Sequence, residues 1–314
     1  MTSGRRSLRF ATRASQLALV QTELASAALT AADAAIETET IEVSTEGDRD
    51  RETPLTVLGG RGVFVRAVEE ALLTGAADIA VHSLKDVPTA VPAGLTLAAF
   101  LPREDPRDVL VASGGRRLAD LAAGSRVGTS SRRRVALVRA IRPDLETLDI
   151  RGNVDTRLRK VADGEYDGAI LAAAGLRRLG RFDEATQVFE EMAFTPAPGQ
   201  GSVVLQCRAD DNATIELLST IDDSETRVAS EAERGFLAAL GTGCSLPVGA
   251  YARLSSDLLA LRGMIGSDEG DTLPTFGDVT GPPADAEALG RGLAERLLAG
   301  EPASEAEAEA GATP

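Results

Sequence analysis

Arginine recurs where short apolar runs end and helix-like stretches begin. Arg13 follows the run Leu8–Ala11, Arg132–Arg134 follow the hydroxyl-rich segment 128–131, and Arg151 precedes a third such stretch. Guanidinium groups grip planar carboxylates with two parallel hydrogen bonds, and helix N-termini attract anions. The pattern indicates a cleft for a ligand with several carboxylates or for a phosphorylated one, although a solvated surface role is the alternative for any single arginine.

A carboxylate follows one of the predicted strands, in the segment HSLKDVP (82–88). Among arginines, Asp86 should stay ionised, where it could stabilise a developing cation or accept a hydrogen bond from a ligand N–H. The alternative is structural, with Asp86 capping the next turn and pairing with Lys85. Strand alternation turns His82 away from Ser83 and favours packing for the histidine.

The two cysteines have different surroundings. Cys207 lies in the strand pattern VVLQCRAD and is expected to be a buried structural thiol. Cys244 lies in GTGCSLPVG, where flanking glycines leave room for a tethered ligand or for nucleophilic catalysis, unless it is incidental. Two cysteines cannot form a disulfide framework. Together with the single histidine they supply too few ligands for a zinc site, so no metal is expected.

The glycine-rich segment LGGRGVF (58–64) lacks the spacing of a phosphate-binding P-loop. A mobile hinge or a lid over the cleft is the more plausible role.

Predicted strands and helices alternate through the first two thirds of the chain, which favours α/β domains with parallel sheets that bind ligands beyond the carboxyl ends of their strands. Proline-rich joints at 100–108 and 194–201 separate the blocks, and SVVLQCRADD is a strand that could return to the first sheet. From about residue 224 the pattern predicts a small α+β domain. The predicted divisions are 1–101 with 202–219, 106–196, 222–300, and an acidic tail at 301–314 expected to be disordered.

Composition excludes several classes of protein. A net charge of −15 and 3% aromatic residues argue against nucleic acid as a partner. The acidic surplus with only two lysines fits a surface adapted to high salt, although a GC-rich genome would also favour arginine over lysine. No signal peptide and no run of about 20 apolar residues is found, which predicts a soluble cytoplasmic protein without a membrane partner.

The motifs, taken in order, resemble the porphobilinogen deaminase (hydroxymethylbilane synthase) family between about residues 7 and 253. The resemblance is carried by ATRASQLAL, GGRGVF, ADIAVHSLKDVP, REDPRD, VGTSSRRR, RGNVDTRL, AGLRRLG, PAPGQG and GTGCSLPVGAY. It implies two α/β domains like those of periplasmic binding proteins plus a C-terminal α+β domain.

The resemblance also implies an activity, that of a transferase in tetrapyrrole (haem, sirohaem, cobalamin) biosynthesis. The family joins four porphobilinogen molecules head to tail, with loss of ammonia, into linear hydroxymethylbilane. It builds this chain on a dipyrromethane cofactor, which Cys244 would hold as a thioether. A monomer with porphobilinogen as its small-molecule partner is expected.

Site residues follow from motif position. Asp86 is the expected catalytic residue, acting on pyrrole N–H groups and on the cation that deamination produces. Cofactor contacts are expected from Ser83, Lys85, Asp86, Thr129, Ser131, Arg133, Arg134, Arg151, Gly152 and Cys244. Substrate contacts are expected from Arg13, Ser15, Arg157, Arg178 and Gln200. Loop or lid residues are Gly59, Gly60, Arg61 and Phe64.

Two loop positions depart from the family pattern. Val57 stands where some relatives have a basic residue, and Arg61 stands where lysine is common. The rival function is a non-catalytic two-lobed module that binds carboxylates or other anions. Such a module would need the arginines but neither Asp86 nor Cys244.

Overall fold

The computed structural model describes residues 6–44, 65–241, 246–267 and 272–301. Its strands are β1 (Arg6–Arg13), β2 (Ile36–Val43), β3 (Ile79–Ser83), β4 (Leu95–Phe100), β5 (Asp108–Ala112), β6 (Arg126–Gly128), β7 (Glu146–Leu148), β8 (Gly168–Ala172), β9 (Gln187–Val188), β10 (Val203–Arg208), β11 (Val248–Ser255), β12 (Leu258–Ile265) and β13 (Thr275–Gly281). Its α-helices are α1 (Gln16–Ala32), α2 (Arg66–Leu73), α3 (Arg132–Ile141), α4 (Val154–Ala162), α5 (Ala173–Arg178), α6 (Asn212–Ser219), α7 (Ser224–Ala239) and α8 (Ala286–Leu298).

The first domain is built on a five-stranded sheet of order β2-β1-β3-β10-β4. Its core includes Phe10, Ile79 and Leu205, each with no exposed surface. Helix α1 packs on this core through Leu29, and Ser15 caps its start, because the Ser15 hydroxyl accepts a hydrogen bond from the Ala18 N–H.

The second domain repeats the arrangement with a sheet of order β7-β6-β8-β5-β9. Leu110, Val127 and Ile170 lie at its centre without exposed surface, and α3 covers them with Leu137. The third domain is a three-stranded antiparallel sheet, β11-β12-β13, with α7 and α8 packed on it around Phe236. The α/β class with a small C-terminal α+β domain is therefore confirmed.

The prediction of purely parallel sheets is wrong in one respect, because both sheets are mixed. Strands β1, β2 and β3 run parallel, as do β6, β7 and β8, but β10 and β5 run antiparallel to their neighbours. Each of these two strands is the first one that the chain forms after it crosses from one domain into the other: β5 after the first joint and β10 after the second. They begin at the joint between the domains, whereas the parallel strands end there, so the two sets must point in opposite directions.

The third domain holds both connections between the first two domains through one side chain. The buried Glu233 carboxylate of α7 accepts hydrogen bonds from the Arg103 guanidinium at 2.6 and 3.1 Å and from the Gly199 N–H at 2.6 Å. It also accepts one from the Ala252 N–H at 2.8 Å, within its own domain. Arg103 and Gly199 belong to the two different joints, so one carboxylate joins all three domains.

Within the described ranges, no helix is long and apolar enough to cross a membrane. The Cys207 prediction is confirmed: the thiol lies in β10 with no exposed surface, and burial raises its pKa to about 11. Cys244, the glycine-rich segment 58–64 and nearly all of the acidic tail lie outside the described residues.

Candidate functional site

A short helical turn, Leu84–Asp86, follows β3 at the joint between the domains. The turn is closed by a 3.0 Å hydrogen bond from the Val87 N–H to the Leu84 carbonyl, and the Leu84 N–H donates to the Ser202 carbonyl at 3.0 Å. Leu84 is buried against Gly199, where a Cβ would come within 2.8 Å of the leucine side chain. The turn is thereby fixed on the second joint.

Asp86 is half-buried at the end of this turn. Its charge interacts with those of Lys85, of His82 and, across the cleft, of Arg157. In the part of the chain that the structure describes, the Asp86 carboxylate makes no hydrogen bond or ion pair, so neither the predicted turn cap nor the Lys85 pair is found. The carboxylate is therefore available to a ligand.

Lys85 has an unusual environment for a lysine. Burial and the nearby Arg134 charge lower its pKa to about 8, against the opposing effect of Asp86 and Asp108. Lys85 therefore still carries a positive charge at neutral pH. His82 behaves differently, because burial lowers its pKa to about 4 although its ring bonds Gln206 at 2.9 Å. The packing role expected for His82 is confirmed.

The second loop lies between β6 and α3, with Ser131 accepting a long 3.4 Å hydrogen bond from the Arg134 N–H at the helix start. Arg133 and Arg134 are 4% and 6% exposed, and both contact the buried Asp108 carboxylate at 2.7 Å. Burial would raise the pKa of Asp108, but the two guanidinium charges lower it to about 2. Asp108 is therefore ionised and balances part of the positive charge.

Three residues predicted to contact the cofactor or the substrate thus belong to one internal network. Besides Arg133 and Arg134, Gln200 is 1% exposed and donates to Asp108 at 2.9 Å and to the Pro106 carbonyl at 2.6 Å. Thr129 is also buried, and its hydroxyl accepts from the Ser131 N–H at 3.2 Å. Direct contact of these side chains with a ligand stays a prediction.

The third loop, between β7 and α4, turns at Gly152, whose φ of +111° is disfavoured for residues with a side chain. Asn153 caps α4 by accepting from the Thr156 N–H at 2.9 Å. Arg157 folds back onto the loop and donates to the Gly152 carbonyl at 2.9 Å. Burial, followed by the Arg134 charge, lowers the pKa of Arg157 to about 10, so the guanidinium remains charged at neutral pH.

We expect Gly152→Ala to destabilise the protein by about 1–3 kcal/mol and to raise the KM for the ligand. The reason is the positive φ together with a Cβ that would lie 2.6 Å from Thr156 Cγ2. Chemical denaturation measures the stability. Gly292→Ala is the matched control, because Gly292 lies in α8, where an added Cβ would have no atom within 4 Å, and it should gain up to about 1 kcal/mol. Equal changes in the free energy of unfolding of the two variants would contradict the requirement for glycine at position 152.

The remaining predicted substrate residues lie at the ends of elements that face the joint. Arg13 is the last residue of β1 and Ser15 begins α1. Arg178 ends α5 and donates to the Gly201 carbonyl at 2.7 Å, and burial lowers its pKa. The two domains approach closely here, since a Cβ on Gly175 of α5 would lie 3.7 Å from Leu17 of α1.

Ser83 has a partner that sequence reasoning missed. Gln21 of α1 is 3% exposed. Its Nε2 donates to the Ser83 hydroxyl at 2.9 Å, and that hydroxyl lies 3.2 Å from Gln21 Oε1, to which it can donate. This contact ties α1 to the end of β3, immediately before the turn that carries Asp86. A glutamine within a helix has no spacing signature, so only its position in the helix that begins within ATRASQLAL could have drawn attention to it.

The charges of the two domains form one connected group at the joint. Lys85 of the first domain interacts with Arg133 and Arg134 of the second, and Arg157 interacts with Arg151 and Arg134. Such crowding of like charges lowers pKa values and is relieved by an anion. The geometry therefore fits a ligand with several carboxylates, with the Asp86 carboxylate facing it.

The other predicted residues lie outside the described part of the chain. These are Cys244 and the loop residues Gly59, Gly60, Arg61 and Phe64, so their roles stay predictions. Among the described residues, no group of three or more His, Cys, Asp or Glu side chains could hold a metal ion.

Comparison with protein families gives two matches that together span most of the chain. Residues 8–216 match the family described as "Porphobilinogen deaminase, dipyromethane cofactor binding domain". Residues 228–299 match "Porphobilinogen deaminase, C-terminal domain". The Asp86 turn and the three arginine loops all fall within the first match.

Individual relatives agree with the family matches. The porphobilinogen deaminase of Roseiflexus castenholzii is 48% identical over 294 residues, covering 94% of this chain and 96% of the relative. That of Syntrophobacter fumaroxidans is 44% identical over 93% of this chain and 94% of the relative. Among solved structures, the periplasmic sulfonate-binding protein SsuA from Methylobacillus flagellatus KT is 13% identical with a TM-score of 0.39, covering 75% of this chain and 70% of that protein.

Proposed function

Because the chain belongs to the porphobilinogen deaminase family, we propose that it joins four porphobilinogen molecules head to tail into linear hydroxymethylbilane, with release of ammonia. The observation that carries this proposal is the Asp86 carboxylate, which has no hydrogen bond or ion pair among the described residues and lies near enough to Lys85 and Arg157 to interact with their charges. A module that only binds anions would have no use for that carboxylate, and the family match to a cofactor-binding domain favours the enzyme.

The family's dipyrromethane cofactor fits the residues that the structure describes. Each of its rings bears an acetate and a propionate, and the neighbouring positive charges that lower the pKa values of Lys85 and Arg157 favour such anions. Lys85 and Arg151 would hold these carboxylates from the two sides of the cleft, with Cys244 forming the covalent thioether. When bound, this group would supply the free pyrrole carbon at which the chain starts to grow.

Asp86 has two tasks in the proposed reaction. The first is electrostatic, because departure of ammonia from porphobilinogen leaves a positive charge spread over the pyrrole and its methylene carbon. An ionised carboxylate that accepts the pyrrole N–H stabilises this charge where it develops. The second is proton transfer, since the ring carbon that attacks the methylene must lose its proton once the two rings are joined, and Asp86 accepts that proton.

The arginines bind and orient the substrate. In the proposed arrangement, Arg13, Arg157 and Arg178 hold its acetate and propionate groups, so that the aminomethyl carbon lies beside Asp86. Holding two reactants in a fixed geometry lowers the barrier by replacing an encounter with a pre-arranged contact. Because the carboxylates are shared among several cations, loss of one arginine should weaken binding more than it slows the chemical step.

Intact mass under denaturing conditions tests the proposal directly. Protein purified from a porphobilinogen-producing host should carry an excess mass of two linked pyrrole units, and Cys244→Ser should lack it. Cys207→Ala is the matched control and should keep the excess mass, because that thiol is buried in β10. A bare polypeptide mass that does not increase on incubation with porphobilinogen would overturn the proposed function.

We further propose that the protein acts as a single chain in the cytoplasm and is adapted to high salt. The monomer is what the family resemblance implies, and size-exclusion chromatography with light scattering would test it. Salt adaptation is supported by 48 acidic against 33 basic residues.

We expect the melting temperature and the activity to fall after dialysis from about 1 M to about 10 mM KCl, because the screening length grows from about 3 to about 30 Å. Differential scanning calorimetry measures the change. Sucrose added at equal osmolality should restore less of the melting temperature than KCl does, since it stabilises folded proteins by exclusion but screens no charge. An unchanged melting temperature and full activity at low salt would contradict the prediction.

A further inference from the structure

Arg234 of α7 reaches from the C-terminal domain to the chain directly after Asp86. Its guanidinium donates to the carbonyls of Val87 at 3.3 Å, Pro88 at 2.9 Å and Thr89 at 3.0 Å. These three carbonyls belong to consecutive residues, so one planar group fixes the direction of the whole segment. A lysine could not reproduce this, because an ammonium lacks the flat fork of donors.

The hydrogen bonds of Arg234 go to the backbone, as those of Arg157 and Arg178 do. Its side chain is half-buried, and burial lowers its pKa. Among the described residues its hydrogen-bond partners are the three carbonyl oxygens, with no carboxylate. The protein thus partly buries a cation at a position where it neutralises no acid, which points to a role in holding the backbone.

Val87 is anchored by its own N–H and by its buried side chain, but the chain beyond it has little backbone support. Within the described part of the chain, no backbone–backbone hydrogen bond involves residues 88–91, and Pro88 has no N–H to offer. On its other side the Asp86 turn is held by the Leu84 bond to Ser202. Arg234 therefore adds hydrogen bonds to the chain just past Val87, where the described residues supply no backbone–backbone hydrogen bond.

The position of Arg234 is itself fixed by its neighbour. Glu233 binds both joints, through Arg103 and through the Gly199 N–H, so α7 cannot shift without breaking those contacts. The same helix ends at Ala239, five residues before Cys244. One helix therefore connects the chain that carries the cysteine to the turn that carries Asp86.

We propose that Arg234 is a positioning residue, which acts on the reaction by holding the backbone after Asp86 and thereby the direction of that carboxylate. This inference rests on the proposed function, because it assigns Asp86 the chemical step. Arg234 does not touch the substrate in this arrangement. It makes the C-terminal domain part of the catalytic apparatus in addition to being the carrier of the cofactor.

The test compares cofactor-loaded holoenzymes, with loading measured by intact mass and rates expressed per loaded molecule. Arg234→Ala should lower kcat for porphobilinogen about tenfold to a hundredfold, because small errors in placing a catalytic group are costly. The KM should change less than about threefold, since the arginines that bind carboxylates are untouched. A merely structural role would lower the melting temperature without this split between kcat and KM.

Arg227→Met is the matched control. Arg227 lies on the same helix and also donates to a carbonyl of the first domain, that of Ala98 at 2.9 Å, but it does not contact residues 87–89. Its loss should affect stability while leaving kcat within about twofold. An equal fall of kcat in both variants would show a general loosening of α7 and would overturn the inference.

Two further measurements keep the inference testable even if Arg234→Ala is unstable. Millimolar guanidinium ion should restore part of the kcat of Arg234→Ala and should not affect Arg227→Met. Arg234→Lys should recover only part of the wild-type rate. Unchanged kcat in Arg234→Ala would overturn this inference alone, whereas wild-type protein that carries dipyrromethane yet consumes no porphobilinogen would overturn the proposed function and this inference with it.

Discussion

Asp86→Asn is expected to lower kcat for porphobilinogen by about 10²–10⁴-fold in the loaded enzyme, with a much smaller change in KM. The amide keeps the shape of the side chain but removes the negative charge that would stabilise the cation formed when ammonia leaves. It also removes the basic oxygen that would take up the proton. No other described carboxylate in the cluster is equally available, because Asp108 is fully committed to Arg133 and Arg134. Steady-state rates on protein of known cofactor content measure the effect.

The Asp86 prediction has a graded series and a control. Asp86→Glu keeps the charge on a longer side chain and should lie between the wild type and Asp86→Asn. Asp144→Asn removes an exposed carboxylate that pairs with Arg142 and should leave kcat within about twofold. If Asp86→Asn kept more than a tenth of the wild-type kcat, the catalytic assignment would be wrong.

Glu233→Gln is expected to destabilise the protein by about 3–5 kcal/mol, which is the range for breaking a buried ion pair by removing one partner. The glutamine could still accept from the Gly199 or Ala252 N–H, but its NH₂ group would face the donors of Arg103. Arg103, whose side chain is 12% exposed, would then be left without its counter-charge. The midpoint of urea-induced unfolding, followed by circular dichroism, measures the loss.

The control for Glu233 lies two residues away on the same helix. Glu231 has an exposed side chain and a loose 3.9 Å contact with Arg227, so Glu231→Gln should change the free energy of unfolding by less than about 1 kcal/mol. Similar effects of the two substitutions would mean that Glu233 does not hold the joints. The loss of one negative charge, at whichever position, would then explain the change in the free energy of unfolding.

Sequence reasoning predicted the elements that present the site, because their pattern is local. Strand, arginine-bearing turn and helix follow each other in the order that the structure shows for Arg13, for Arg132–Arg134 and for Arg151. The α/β class followed from that alternation, and the small C-terminal domain followed from the change of pattern after residue 224. The polyanion-binding character of the cleft also followed from residue types, whereas the specific reaction came from the family resemblance.

The contacts that hold the site together could not be predicted in the same way. Asp108 lies in the REDPRD motif, but nothing in its spacing indicates that it balances Arg133 and Arg134 from 25 and 26 positions away. Glu233 and Arg234 look like ordinary charges of an amphipathic helix. The partners of Glu233 in the two joints lie 34 and 130 residues away and those of Arg234 lie 145 to 147 residues away, so only the folded chain brings them together.

The antiparallel strands were missed for a related reason. Local alternation of strand and helix favours parallel pairing, but the direction of β5 and β10 depends on where the chain crosses between domains. Strand β13 and helix α8 were not specified either, because the sequence after residue 253 has few motifs. The sequence did predict that the segment after the second joint could return to the first sheet, and β10 lies there between β3 and β4.

The central place of β10 has a consequence for how the protein is made. A ribosome that has synthesised residues 1–100 has released β1 to β4, but β3 and β4 cannot join one sheet until the strand between them, residues 203–208, has emerged. The second domain needs only residues 108–188 for its own sheet. During synthesis, the domain that comes second in the chain can therefore complete its sheet before the one that comes first, which reverses the usual order of folding from the N-terminus.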